Sequence, residues 1–275
     1  MIYQSIDGVA YKMREEFDFA FLKKYGKVFK VFDNQDSGNI CFGIDSGKER
    51  YFVKFAGAPT AEYQGELQDA VSRLKATVPI YQDIRHDTLV RFLFAEEIGR
   101  GFAMVFEWAD GTCMGKQYED GHRSIMTLPV QEKISIFQRI AAFMQCVARS
   151  GYVAIDFYDG SILYDANTRK VTVCDMDCFR KSPCINNMGR MWGSSRFMSP
   201  EEYEKGAVID EVTNVYNLAQ MAFSLFTDSD RQERNWPLSK ESYAVLLKAT
   251  SAAREDRFLS IADFIFDWEN AVSLA

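Results

Sequence analysis

Histidine is nearly absent from this chain. His86 and His122 are the two among 275 residues, too few for a histidine-centred metal or acid–base site. Cationic blocks are missing as well. Lys and Arg number 32 against 39 Asp and Glu, a formal charge of −7, which argues against a nucleic-acid backbone as partner. Apolar runs are broken too early to span a bilayer; even Ile134 to Ala148 contains Gln138 and Arg139. The opening Met1-Ile-Tyr-Gln-Ser-Ile-Asp7 has neither a basic region nor a long apolar core, so no signal peptide is expected there. These absences set the expectation of a cytoplasmic protein with no membrane and no nucleic-acid partner. Cysteines are six, and Cys174, Cys178 and Cys184 lie close in sequence without zinc-knuckle spacing. All six are expected to be buried or partly buried free thiols.

What is present is ordinary globular composition, 47% hydrophobic and 26% charged, with room for one two-lobed domain or two small ones. Residues 1–24, with Phe17, Phe19, Ala20 and Phe21, suggest a short helix. Strands are expected at 25–32, 40–45 and 50–55, separated by the turn clusters Asp33–Asn39 and Ser46–Glu49. In the third, alternation puts Phe52 and Lys54 on one face. Residues 60–84 read as a helix that Pro79 kinks or restarts, and 88–94 and 101–106 as further strands. His122-Arg123 reads as a solvated loop. Residues 128–150 form an amphipathic helix that Gly151 ends.

The stretch Gly151 to Phe179 organises the rest. Its apolar runs at 152–155, 162–164 and 171–174 are short and rich in β-branched residues, and Asp165, Asn167 and Thr168 make a hairpin turn between the last two. Asp156 and Asp175 stand just outside these runs. Two acids flanking the arms of a hairpin can converge on one point, as needed to hold a divalent cation and a nucleophile around a phosphate.

The frame Asp156-x-x-x-x-Ser161, strand, turn, strand, Asp175-Met176-Asp177 resembles the catalytic and metal loops of the protein kinase-like superfamily, in its bacterial serine/threonine form. The family pattern is His-Arg-Asp-x-x-x-x-Asn, then Asp-Phe-Gly. Here Ala154-Ile155 replace His-Arg, Ser161 replaces Asn and Asp177 replaces Gly. Further along, Ser199-Pro200-Glu201 resembles the family's Ala-Pro-Glu, Asp210 to Ala219 its next helix with Asn214 where Asp is usual, and Arg254 to Arg257 its late arginine turn. The resemblance implies a two-lobed α+β kinase-like fold. Residues 1–108 would be an N-lobe of small antiparallel sheet, and 109–275 a mainly helical C-lobe.

It also implies ATP and Mg²⁺ or Mn²⁺ as cofactors. Asp156 would accept or orient the acceptor's hydroxyl proton, and Asp175 would bind the metal, with Ser161 and Asp177 as further ligands. Lys54 is either an edge lysine or the cation for the α- and β-phosphates. Gly38 belongs either to an ordinary hairpin turn or to one whose N–H groups approach a phosphate. Backbone groups of Glu107 and Ala109 would meet the adenine edge. Of Glu62, Glu66 and Asp69, Glu66 is the candidate partner for Lys54, although the family-like position falls nearer Thr77. Glu201 would pair with Arg257, and Tyr158 stands where protein kinases carry Lys. Three functions follow: phosphorylation of Ser/Thr hydroxyls of a protein, phosphorylation of a small molecule as in aminoglycoside or choline kinases, or a pseudokinase that only binds.

Overall fold

A computed structural model describes residues 1–273. They form a mixed α+β chain with small antiparallel sheets and six α-helices. The chain divides into two compact units, one of Met1–Asp83 with Val90–Ala109, the other of Ile84–Leu89 with Asp110 onward.

The first unit opens with a hairpin, β1 (Ile2–Ile6) and β2 (Val9–Met13). Its turn is Asp7-Gly8, with φ of 53° and 88°. This corrects the expected short helix. Asp-Gly tolerates two left-handed residues and matches the twist of the flanking strands, so the local turn chemistry decides. Only a 3₁₀ turn at Ala20–Lys24 remains of the helix. The main sheet has five antiparallel strands in the order β3-β4-β5-β7-β6: β3 (Lys27–Phe32), β4 (Asn39–Asp45), β5 (Arg50–Ala56), β6 (Phe92–Ile98) and β7 (Gly101–Glu107). One face is sealed by Val28, Phe42, Val53, Phe55 and Val105 packing with Tyr11, Met13, Phe19 and Leu22. Each such side chain stabilises by about 1.5–3 kcal/mol on burial. Helix α1 (Leu67–Asp83) buries Ala70, Val71, Leu74, Thr77, Ile80 and Tyr81. It starts later than the sequence suggests and runs unbroken through Pro79.

The expected strand at 88–94 is displaced to Phe92–Ile98. Thr88 and Leu89 belong to the other unit, where the Val173 N–H donates to the Thr88 carbonyl at 2.7 Å and Leu89 bridges Val173. Edge strand β6 tolerates Glu96 and Glu97 because cations cover them: Lys24 lies 2.6 Å from Glu96 and Lys75 2.6 Å from Glu97.

The second unit contains β8 (Thr112–Cys113), α2 (Glu119–Met126), α3 (Val130–Arg149), β9 (Tyr152–Val153), β10 (Ile162–Asp165) and β11 (Lys170–Val173). There follow β12 (Arg180–Lys181), β13 (Cys184–Ile185), β14 (Val208–Ile209), α4 (Glu211–Thr227), α5 (Lys240–Ala249) and α6 (Ile261–Val272). Aromatic rings tie the helices together, Phe137 of α3 lying 4.9 Å from Trp268 of α6. The hairpin β10–β11 forms as expected and extends to β8. There Gly111, at φ 122°, passes so close to Tyr164 that a Cβ would sit 2.7 Å from its backbone. Gly151 ends α3 at φ 75°.

His122 lies in α2, not in a solvated loop. Its Nδ1 is 2.9 Å from the Met114 carbonyl oxygen and its Nε2 3.1 Å from Asp228 Oδ1. Glu201 and Arg257 do pair, Arg257 Nη1 and Nη2 donating to Glu201 Oε1 and Oε2 at 2.7 and 3.0 Å. All six cysteines are free thiols, Cys41 buried and the others partly so. Among the described residues no helix is long and apolar enough to cross a membrane.

Candidate functional site

Asp156 and Asp175 share a conformation that side chains rarely adopt: their φ values are 58° and 61°. Left-handed backbone at a non-glycine residue costs on the order of 1–3 kcal/mol and persists only where the surroundings impose it. The surroundings are identifiable. Asn214 of α4 grips the peptide at Ala154 from both sides, accepting from its N–H at 2.7 Å and donating to its carbonyl at 2.7 Å. That fixes the chain two residues before Asp156. The hairpin fixes the other acid, because the Cys174 N–H donates to the Ser161 carbonyl at 2.8 Å. Ser161 is thereby held beside the residue preceding Asp175.

The acids converge. Cys178 is pushed up to about 12 by burial first and then by the charges of Asp156, Asp175 and Asp177. The Tyr158 phenol is likewise raised, chiefly by burial and then by Asp156 and Asp175. Both groups are neutral at physiological pH. Asp175 is exposed while Asp156 is half-buried. Gly193, at φ 137°, borders Asp156: a Cβ there would lie in ordinary contact, 3.6 Å from its Oδ1.

Ser161 is only 2% exposed, and its Oγ has no hydrogen-bond partner among the described residues. A buried hydroxyl without a partner is expensive, and an incoming ligand would satisfy it. Among the described residues no group of three or more His, Cys, Asp or Glu is disposed to hold a metal ion. This donor set fits an ion that takes one or two carboxylates and fills its shell with water and ligand phosphates, as Mg²⁺ does.

In the first unit Lys54 pairs across the ladder with Cys41 on β4 and Met104 on β7. It is half-buried, on the face opposite the sealed Val53 and Phe55, as the alternation suggests. The Thr77 hydroxyl of α1, 2.7 Å from the Leu74 carbonyl and 3.2 Å from Met104 Sδ, lies buried next to the cross-strand neighbour of Lys54. Glu66, the expected acid, is exposed and precedes α1, its carbonyl accepting from the Asp69 N–H at 3.0 Å. Gly38, at φ 84°, is buried: a Cβ there would meet Ala70 at 2.8 Å and Tyr63 at 2.9 Å. Ser37 beside it is the exposed part of that turn, with its carbonyl held by Arg73 at 3.1 Å. The Glu107 N–H donates to the Arg91 carbonyl at 2.9 Å, so Glu107 could offer a ligand only its carbonyl. Ala109 is half-buried at the end of the unit.

The sequence reading missed the roles of Asn214 and Gly193. Asn214 was legible only as an amide in place of an acid, and Gly193 as a glycine in an otherwise polar run; their closeness to residues 154–156 is a tertiary fact. Neither a scan against protein-family models nor a search of curated proteins finds a match for this chain.

Proposed function

We propose that this protein is an ATP-dependent phosphotransferase of the protein kinase-like fold, transferring to a Ser/Thr hydroxyl of a protein. The observation that carries the reading is the pair Asp156 and Asp175, both left-handed and both acting on Cys178 and Tyr158, with the buried Ser161 held beside the residue that precedes Asp175. Asp175 and Ser161, with Asp177, would hold Mg²⁺ or Mn²⁺, which supplies charge stabilisation to transferring phosphate oxygens. Asp156 accepts or orients the acceptor's proton. Lys54 would hold nucleotide phosphates, and the Glu107 carbonyl and the Ala109 peptide would meet the adenine edge.

A macromolecular acceptor is favoured by the surface around residues 185–208. Ile185, Met188, Trp192, Tyr203 and Val208 are each at least 43% exposed, and Gly193 within that stretch borders Asp156. Ile185 and Val208 pair across β13 and β14, and exposed apolar side chains set side by side are characteristic of interaction surfaces. A binding-only pseudokinase is the second reading, favoured by Ser161 and Asp177 standing where the family carries Asn and Gly.

The test is the shift in melting temperature with ATP, with and without Mn²⁺, followed by transfer assays. A ligand that binds only the native state raises its melting temperature. Wild type is expected to show a metal-dependent shift that Asp175→Asn removes, while Asp156→Asn keeps the shift and loses transfer. Metal-dependent binding with no transfer to protein or small-molecule hydroxyls selects the binding-only reading. No shift at millimolar ATP sinks both.

A further inference from the structure

Between Asp156 and Ser161 lies Asp159, which is fully buried. Its carboxylate accepts a two-pronged contact from Arg196, Nη1 to Oδ2 at 2.8 Å and Nη2 to Oδ1 at 2.9 Å. Ser224 of α4 adds a third hydrogen bond, its Oγ donating to Oδ2 at 3.1 Å. A buried carboxylate is tolerated when its lone pairs are satisfied in this way. Replacing such an ion pair by apolar residues is often no worse for stability, so stability alone does not account for it.

The far end of the pair is anchored with equal care. The Arg196 carbonyl accepts from Gln220 Nε2 at 3.0 Å, and the next carbonyl, that of Phe197, accepts from Asn217 Nδ2 at 2.9 Å. Both amides belong to α4, which also carries Asn214, the residue gripping Ala154. Arg196 follows Gly193, whose backbone borders Asp156. The turn carrying Asp156 and Ser161 is therefore tied directly to α4 at Ala154 and Asp159, and through Arg196 to the chain beside Asp156.

We propose that the Asp159–Arg196 ion pair is a positioning device for this site, setting the spacing between Asp156 and the Ser161 hydroxyl. The proposal rests on the phosphotransferase reading for what is positioned, and on geometry alone for the fact of positioning. Neither residue is a catalytic residue, because each acts through the turn it holds. The fork matters as well as the charge: lysine would keep the cation but make a point contact where arginine clamps both oxygens.

Arg196→Lys and the neutral double variant Asp159→Asn/Arg196→Gln test this, with three readouts on the full chain: melting temperature, amide hydrogen exchange, and Mn²⁺-dependent ATP affinity. Both variants are expected to melt as single cooperative transitions, with exchange unchanged in α3 and α6. Exchange across residues 154–162 should rise roughly tenfold or more, and Mn²⁺-dependent ATP affinity should fall by about 10–100-fold, the usual cost of losing a partner behind the metal ligands. A variant that unfolds globally is replaced by Ser224→Ala, which removes one support and should move the same local exchange in the same direction. If exchange at 154–162 and nucleotide affinity both match wild type in folded variants, the proposal is overturned. If exchange rises but wild type shows no metal-dependent ATP binding, the phosphotransferase reading fails while the positioning role stands.

Discussion

Glu201 and Glu202 are sequence neighbours, both largely buried, and their environments push them in opposite directions. Burial alone would raise Glu201, but the Arg257 hydrogen bonds and charge, with Thr213, outweigh it and hold the carboxyl below its ordinary value. Glu202 has Ser199 and Asn217 as hydrogen-bond donors but no cation, so burial prevails and its pKa is raised. A depressed acid stabilises the fold above its unfolded value, and that stability is lost as pH falls through the folded one. A raised acid does the reverse: it costs stability once pH climbs past the unfolded value. Glu202→Gln, which can still accept from Ser199 and Asn217, should therefore raise the melting temperature at neutral pH. The gain should vanish as pH falls through the ordinary carboxylate range. Melting curves across that range check this, and a lower melting temperature for the variant at neutral pH would refute it. Glu201→Gln should behave oppositely. It leaves Arg257, whose side chain is 0% exposed, without its charge, at a cost of about 3–5 kcal/mol in denaturant unfolding.

At the scale of elements, legibility followed how local the deciding interaction is. The strands β4 and β5, helix α3, the hairpin β10–β11 and the face on which Lys54 sits were readable, because alternation, a helical stripe or a turn cluster specifies each within a few residues. The first hairpin was equally local but went unread: the three phenylalanines at 17, 19 and 21 suggested a helix, and the Asp7-Gly8 turn was passed over. Those rings do pack on the sheet, but Phe17 and Phe19 from irregular chain and Phe21 from the 3₁₀ turn. Strand β6 was misplaced for a different reason. Its start depends on Thr88 and Leu89 pairing with Val173, a partner distant in sequence. Asn214 reaching Ala154, and Thr77 under Met104, belong to the same class. The hairpin offers a clean test of turn strain, since a Cβ at Gly8 would touch nothing within 4 Å. Gly8→Ala should therefore cost only the left-handed backbone penalty, about 1–2 kcal/mol. Denaturant titration with an unchanged slope would confirm that the loss is confined to the turn, and a larger loss would mean that a packing contact had been broken too.

At the scale of the whole molecule, an acidic chain carries its excess charge unevenly. A formal charge of −7 is modest for 275 residues, yet Asp156, Asp175 and Asp177 together act on one thiol at Cys178. Any cation relieves such repulsion by screening, and sodium does so according to ionic strength alone. A divalent ion that binds the native acids adds a term that depends on its own concentration. Millimolar Mg²⁺ or Mn²⁺ should therefore raise the melting temperature more than NaCl at matched ionic strength. Asp175→Asn should erase that difference while leaving the NaCl response intact. Equal effects of sodium and magnesium on wild type would mean that the convergence is only electrostatic crowding. A divalent-specific gain that survived in Asp175→Asn would move the ion's binding point to Asp177 or Asp156.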